Sequence, residues 1–471
     1  MTPSYYTYRI RIANHDRTQV EKWDAQHQSL GQPSGKFRYQ EKLTEGIQEL
    51  LQIVRNGKLN DSNQSRLLGE ALFDMLFDDV LRQDFVNFYY EVVQQKQQLL
   101  RVELDIDEQG MPEVAALPWE FMCLPERANL GTIWLATVPQ LVFSRRRSQW
   151  IPAQPIQLKE NEKLRIALVV SAPENLGKVE FEKVQTALEK LATEQAQDIE
   201  LLPVVKQASP EGVDDILAKK PHIFHFIGHG RLENENKQEV GQIALLDDLD
   251  EAMWVDAGYF SDRFNRHRPG IVVLQACQGA MLSASQAFVG VASKVVQQNI
   301  PVVVAMQYEI PNSTAIRFTR RFYQELSKYK PVDIAAQEGR YAITLSATQY
   351  RTRDFATPVI FMRVPNGYLF QKEQGSTQPL IDRTKTINLE PSQRQEFMEA
   401  LMDAFRSRND LEMMLSFQLD WRLNQIARGE NYQQIVFNLI DYAEEQGKIT
   451  ELLEAAKTAN PGNPRLRNFY L

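Results

Sequence analysis

At 471 residues the chain is long enough for roughly two to four domains and a large buried core. Its net charge of −8, from 61 acidic and 53 basic residues, argues against a broad electrostatic footprint for nucleic acid or an anionic membrane surface. Two cysteines exclude a disulfide scaffold and any four-thiolate metal site, while 43% apolar and 24% charged residues are ordinary for a soluble globular protein.

The N-terminus, Met1-Thr-Pro-Ser-Tyr-Tyr-Thr-Tyr-Arg-Ile-Arg-Ile12, lacks the apolar core of a signal peptide, so a cytoplasmic location with reduced thiols is expected. Tyr8, Ile10 and Ile12 alternate as an edge or half-buried strand would, and Val102, Leu104 and Ile106 do the same. Between them, Gln64 to Leu100 reads as helical from the spacing of Leu67, Leu68, Leu72, Met75, Leu76, Val80 and Leu81.

From about Leu164 apolar runs of strand length alternate with amphipathic helices. Ile166 to Val170, Ile199 to Val205, His222 to Ile227, Ile271 to Leu274 and Ile300 to Ala305 are the runs. Phe181, Val184, Leu188 and Leu191 mark one helix, Val213, Ile216 and Leu217 a second, and Val291, Val295 and Val296 a third. This alternation predicts a mainly parallel sheet with helices on both faces, closed by a last strand at Pro358 to Met362. Gly270 to Ser293 runs 24 residues without a charge, but its Gln and Ser content suits a buried strand and helix rather than a membrane span. Gln371 to Pro379 reads as a linker. Beyond it Ser392 with Gln395, Asn409 with Glu412 and Asn431 with Gln434 are helix-start signals, and Gly447 is placed for a C-terminal cap. The expected division is an N-terminal α/β region at 1–160, the regular core at 161–370, a linker at 371–388 and a small all-helical domain at 389–471.

In such a sheet functional groups gather at the carboxyl ends of the strands. The run ending at Ile227 leads into Gly228-His-Gly230, and the run ending at Leu274 leads into Gln275-Ala-Cys-Gln-Gly279. If those strands are neighbours, His229 and Cys277 emerge at one edge as base and nucleophile, with the N–H groups of Gly230 and Cys277 as an oxyanion hole. Gln275-Ala-Cys-Gln-Gly279 matches the caspase signature at every position, and His229 lies 277 − 229 = 48 residues upstream, near the spacing that signature carries.

Other motifs give way to blander readings. His222, His225 and His229 lack a Glu or Cys to complete a metal set, so no metal or other cofactor is expected, and His222 and His225 read as core or hydrogen-bonded residues. Gly228-His-Gly-Arg-Leu-Glu233 lacks the third glycine of a dinucleotide loop, and Gly31-Gln-Pro-Ser-Gly-Lys36 is one residue short of a phosphate loop. Arg145-Arg-Arg147 reads as a solvated strand end or linker, against a cleavage or docking site. Asp247-Asp-Leu-Asp-Glu251 reads as a mobile surface loop, against a border of the substrate groove or a segment reordered on activation. Cys123, without a histidine in view, reads as a structural thiol. Glu174 and Glu309 follow sheet strands at the functional edge and are candidates to line a substrate pocket, together with Gln275, although helix capping explains each of the two glutamates equally well.

The residues from about Leu67 to Val364 resemble the caspase-like CHAT proteases, of the clan that also holds caspases, metacaspases and separase. Ala116-Leu-Pro-Trp-Glu-Phe121 looks like that family's upstream hallmark, and His225-Phe-Ile-Gly-His-Gly230 like its histidine motif. The resemblance implies a metal-free cysteine endopeptidase using His229 and Cys277; Gln275 stands where metacaspases carry an acid, so that source of basic specificity is absent. Ile435 to Ala443, Leu452 to Ala456 and Asn460-Pro-Gly-Asn-Pro464 resemble effector-associated, death-like adaptor domains of bacterial conflict systems. The combined expectation is a protease acting on a protein substrate in bacterial antiviral defence or cell death. It would be latent until a partner with a matching helical domain engages it, with an activation-dependent oligomer as an option. The alternative is an inactive caspase-like scaffold that only assembles partners.

Overall fold

The structure is a computed structural model describing residues 5–108, 110–125, 131–146, 153–235, 238–276, 284–297, 300–346, 348–372, 389, 391–419, 421, 423–427, 429, 431–445, 448–460 and 463–469. The chain divides into two compact units, 1–373 and 374–471.

The strands that build the first unit are β1 (Tyr5–Ile12), β2 (Arg17–Trp23), β3 (Leu99–Ile106), β4 (Leu141–Arg146), β5 (Leu164–Val170), β6 (Ile199–Leu201), β7 (Ile223–Gly228), β8 (Gly230–Glu235), β9 (Gln238–Leu246), β10 (Ala252–Val255), β11 (Ile271–Ala276), β12 (Val302–Met306) and β13 (Pro358–Met362). Ten of them form one 12-stranded sheet in the order β6-β5-β7-β11-β12-β13-β4-β3-β1-β2, extended by Ser29–Gly31 and Ser34–Lys36 on β2. From β6 to β12 all neighbours are parallel, and β13 turns antiparallel to β12. The N-terminal strands therefore do not merely pack against the core: β4 pairs with β13 at Phe361↔Arg145 and Met362↔Arg146, and the sheet is continuous.

Alternation within each strand feeds two separate cores. Ile223, Ile227, Ile271, Val273, Val302 and Val304 face one side, where α3 (Glu182–Glu194), α7 (Asn312–Leu326) and α8 (Val332–Thr344) pack; α1 (Ser62–Leu76) and α2 (Asp79–Tyr89) cover the same core further along. Phe224, Phe226, Val272, Leu274 and Val303 face α4 (Pro210–Ala218), α5 (Ala257–Arg266) and α6 (Ala284–Gln297) on the other. Burial of both faces explains why these strands read as unbroken apolar runs. The predicted α/β class with helices on both faces is the observed one.

Three local expectations are corrected. Gln64 to Leu100 is not one helical stretch: Asp78 caps α2 by accepting from Leu81 N–H at 3.0 Å, a short π-helix follows at Tyr90–Gln95, and β3 starts at Leu99. β3 looked half-buried because Arg101 and Glu103 alternate with its apolar residues, yet both are buried too, Arg101 on Asp333 at 2.6 Å and Glu103 on Arg9 at 2.7 Å. Arg145 and Arg146 are not a solvated strand end but buried residues of β4, whereas Arg147 lies outside the described residues.

The second unit is all-helical over its described residues: α9 (Pro391–Ala404), α10 (Arg408–Leu419), Leu423–Ile426, α11 (Tyr432–Glu445), α12 (Ile449–Ala459) and Pro464–Asn468. Phe397, Leu401, Leu411, Leu415, Val436, Leu439 and Leu452 form its core. Asn431 caps α11 through Gln434 N–H at 2.9 Å, as expected. The cap of α10 sits two residues earlier than Asn409 and Glu412: Ser407 and Asp410 bond reciprocally as a capping box. Gly447 lies outside the described residues.

Candidate active site

Strands β5, β7, β11 and β12 run parallel and end at one edge of the sheet, where loops present functional groups. β7 and β11 are immediate neighbours, in register through Gly228↔Ala276. The next residue after each is His229 in one chain segment and Cys277 in the other; Cys277 itself lies outside the described residues.

Gly228 allows β7 to end there. A Cβ on it would lie 2.8 Å from the Phe226 ring and 3.1 Å from the Ser171 carbonyl oxygen, so the Phe226 ring occupies the space a side chain would need and the residue after β5 lies close beside it. Ser171 N–H completes this junction by donating to the Ile227 carbonyl at 2.9 Å.

His229 is 6% exposed, and its Nε2 sits 2.7 Å from the carbonyl oxygen of Gly177 in the loop after β5. A carbonyl only accepts, so Nε2 carries the hydrogen and Nδ1 is the bare nitrogen of the neutral ring. Burial holds the imidazole below its ordinary pKa, with the Gly177 bond opposing that shift. The ring is therefore neutral at neutral pH and able to accept a proton at Nδ1. Gly230 opens β8. Because Ala244 N–H donates to the His229 carbonyl at 3.0 Å, Gly230 and Ile243 form a non-hydrogen-bonded pair, and the Gly230 N–H faces away from β9.

The remaining candidates fall into different settings. Gln275 is 2% exposed and its Oε1 lies 3.2 Å from His225 Nε2, so its amide is engaged in the core. His225 is fully buried, bonded on its other side to the Tyr323 hydroxyl at 3.1 Å. His222, at the opposite end of β7, accepts from Arg165 N–H at 3.0 Å. Glu174 is exposed in the loop after β5, and Glu309 is half-buried after β12 with its carbonyl toward Arg353. Among the described residues no group of three His, Cys, Asp or Glu side chains is arranged to hold a metal ion. A shallow groove lined by Gln185, Glu189, Ile199 and Leu201, between α3 and β6, contains none of the candidates.

The Trp119-Glu120 segment supports this edge from the N-terminal half. Glu120 receives two bonds from the Arg145 guanidinium, at 3.0 and 2.6 Å, and one from the Gln307 amide at 3.0 Å, just beyond β12. Arg145 also donates to the carbonyls of Ala115 and Leu117. Cys123 is buried, and burial pushes its thiol far above the usual range. The residue that sequence reasoning missed is Gly177, whose contribution is a backbone carbonyl and so leaves no side-chain signal.

Residues 66–396 match the CHAT domain, and residues 387–470 match effector-associated domain 1. No curated protein matches the chain. Among solved structures, the Arg-specific cysteine proteinase gingipain R is similar at 11% identity over 70% of this chain and 76% of that one, with a TM-score of 0.37. Separase of Saccharomyces cerevisiae, in complex with securin, is similar at 11% identity over 79% of this chain but only 30% of that one, with a TM-score of 0.39. The complex of RgpB pro- and mature domains from Porphyromonas gingivalis is similar at 10% identity over 70% of this chain and 77% of that one, with a TM-score of 0.37. With most of its length matched by one family, this chain belongs to the CHAT-domain family.

Proposed function

We propose that the protein is a cysteine endopeptidase whose nucleophile is Cys277 and whose base is His229. The observation that carries this reading is the register of β7 on β11, which makes His229 and Cys277 the residues following a paired Gly228 and Ala276. In the proposed cycle His229 Nδ1 takes the thiol proton and the thiolate attacks the scissile carbonyl. The N–H groups of Gly230 and Cys277 hold the oxyanion. Collapse breaks the C–N bond as the imidazolium returns its proton to the leaving amine. Water, deprotonated by His229, then hydrolyses the thioester to a carboxylate and the free thiol. Glu174 and Glu309 are proposed to line the substrate cleft; the inward engagement of Gln275 favours a supporting role for it.

We further propose that residues 387–470 recruit a partner with a matching helical domain in a cytoplasmic defence or cell-death response, and that the enzyme is latent before that contact. No helix among the described residues is long and apolar enough to cross a membrane. Labelling with a thiol-reactive probe tests the dyad. One label per chain is expected, absent in Cys277→Ala and slowed in His229→Ala, with Cys123 silent. Equal labelling of wild type and His229→Ala would overturn the reading in favour of an inactive scaffold. Latency fails if the full chain is already as active as one lacking residues 385–471.

A further inference from the structure

The acidic run Asp247 to Glu251 has a place in this site. It forms the turn between β9 and β10, and the turn is built by its own first residue. Asp247 Oδ1 accepts from the N–H groups of Leu249 and Glu251, both at 2.9 Å, and the Asp247 carbonyl accepts from Asp250 N–H at 3.1 Å. Asp250 adopts a left-handed backbone, φ 59°, which is costly for a residue with a side chain and persists where its surroundings enforce it. Its carbonyl accepts from Glu174 N–H at 2.9 Å, and two residues on Ala252 N–H donates to Asn175 Oδ1 at 3.0 Å. The turn thus grips residues 174 and 175 by two hydrogen bonds.

Those residues belong to the loop that offers the Gly177 carbonyl to His229. Residues 174, 175, 177 and 178 are exposed and have no regular secondary structure, so the loop has little packing to define it until Val179, which is buried. Ordering such a backbone costs conformational entropy, and before Val179 the loop's own turn bond is that from Leu176 N–H to the Pro173 carbonyl at 3.1 Å. Resting on the dyad reading above, we propose that the Asp247–Ala252 turn is a clasp for the catalytic base. Asn175 and Asp247 are positioning residues: they hold the loop so that Gly177 fixes His229 in its Nε2–H form, with Nδ1 bare. The Asp247 carboxylate thus serves turn building rather than substrate recognition.

Two readouts on the full-length protein test this, using Asn175→Ala, Asn175→Asp, Asp247→Ala and Asp247→Asn. The first is NMR of isotope-labelled histidine side chains, with the His229 signals assigned from their loss in His229→Ala. The second is the rate of alkylation by iodoacetamide near neutral pH. In wild type His229 shows a single Nε2–H tautomer. In Asn175→Ala and Asp247→Ala the tautomers mix and alkylation slows by about fivefold to thirtyfold, as loss of one or two net hydrogen bonds implies. Asn175→Asp and Asp247→Asn keep an acceptor oxygen and retain both wild-type readouts. The clasp is overturned if both alanine variants keep the wild-type tautomer, or if the conservative variants are as impaired as the alanines. If one alanine variant fails to fold, the other decides the matter. If wild type alkylates no faster than His229→Ala, the dyad reading falls, and the tautomer measurement still judges the clasp.

Discussion

The amide oxygen of Gln275 lies 3.2 Å from Nε2 of His225, a residue 50 positions earlier on the neighbouring strand. Because an amide oxygen only accepts, Nε2 carries the hydrogen of His225, and the Tyr323 hydroxyl donates to Nδ1 at 3.1 Å. A buried chain of three side chains therefore runs from α7 through β7 to β11, ending two residues before the candidate nucleophile. Tyr323→Phe leaves Nδ1 without its donor and Gln275→Leu leaves Nε2–H without its acceptor, each at an expected cost of about 1–3 kcal/mol. Because both act through one imidazole, the double variant should cost less than the two together. Chemical denaturation of the single and double variants measures this, and simple additivity would show that the chain is not coupled.

Stability should fall on mild acidification for a related reason. Burial pushes His225 and His222 down to about 4 from an ordinary 6.5. The unfolded chain therefore takes up protons at these rings below about pH 6.5, while the folded chain resists until about 4, so the unfolded state binds more protons and stability drops as pH falls through that window. Above it both states are neutral and the contribution is complete. For fully buried His225 the loss approaches about 3 kcal/mol at the acid end. Unfolding midpoints measured across the window should fall with a slope that His225→Gln reduces; an unchanged slope would contradict the assignment.

Sequence periodicity located the parallel sheet because its strands are buried on both faces, which leaves continuous apolar runs such as His222 to Ile227. The neighbouring positions of β7 and β11, on which the site depends, were only conditional, since strand order is set by packing between distant segments. Charged residues misled most. Arg145 and Arg101 look solvated by composition, yet the bidentate Glu120 carboxylate with nearby carbonyls for the first, and Asp333 with the Asn366 carbonyl for the second, make their burial tolerable. Gly177 was invisible because a backbone carbonyl is common to every residue type.

The buried pair of Glu120 with Arg145 should be among the most sensitive in the first unit. Glu120 is fully buried and holds three hydrogen bonds, two to Arg145 and one to Gln307. Glu120→Ala leaves a buried guanidinium without its counter-charge, at an expected cost of about 3–5 kcal/mol. Pairing it with Arg145→Met removes the stranded charge and should recover part of that loss, although the Ala115 and Leu117 carbonyls lose the guanidinium, Leu117 keeping its bond from Trp119 N–H at 2.9 Å. Thermal unfolding of the two variants tests the ordering; a double variant less stable than Glu120→Ala would show that carbonyl capping, not charge pairing, is the larger contribution.

Gly228→Ala separates the geometry of the site from the stability of the fold. The added methyl meets the Phe226 ring at 2.8 Å and the Ser171 carbonyl at 3.1 Å. The ring is packed in a core and the carbonyl belongs to the end of β5, so neither yields freely, and the end of β7 must move instead. Overpacking of this kind costs about 1–3 kcal/mol. The residue displaced by that movement is His229, whose 2.7 Å bond to Gly177 tolerates little displacement. Alkylation of Cys277 should therefore slow in Gly228→Ala to nearly the rate of His229→Ala, while the protein stays folded at ambient temperature. A variant that loses stability but keeps the wild-type alkylation rate would show that the β5–β7 junction does not set the position of His229.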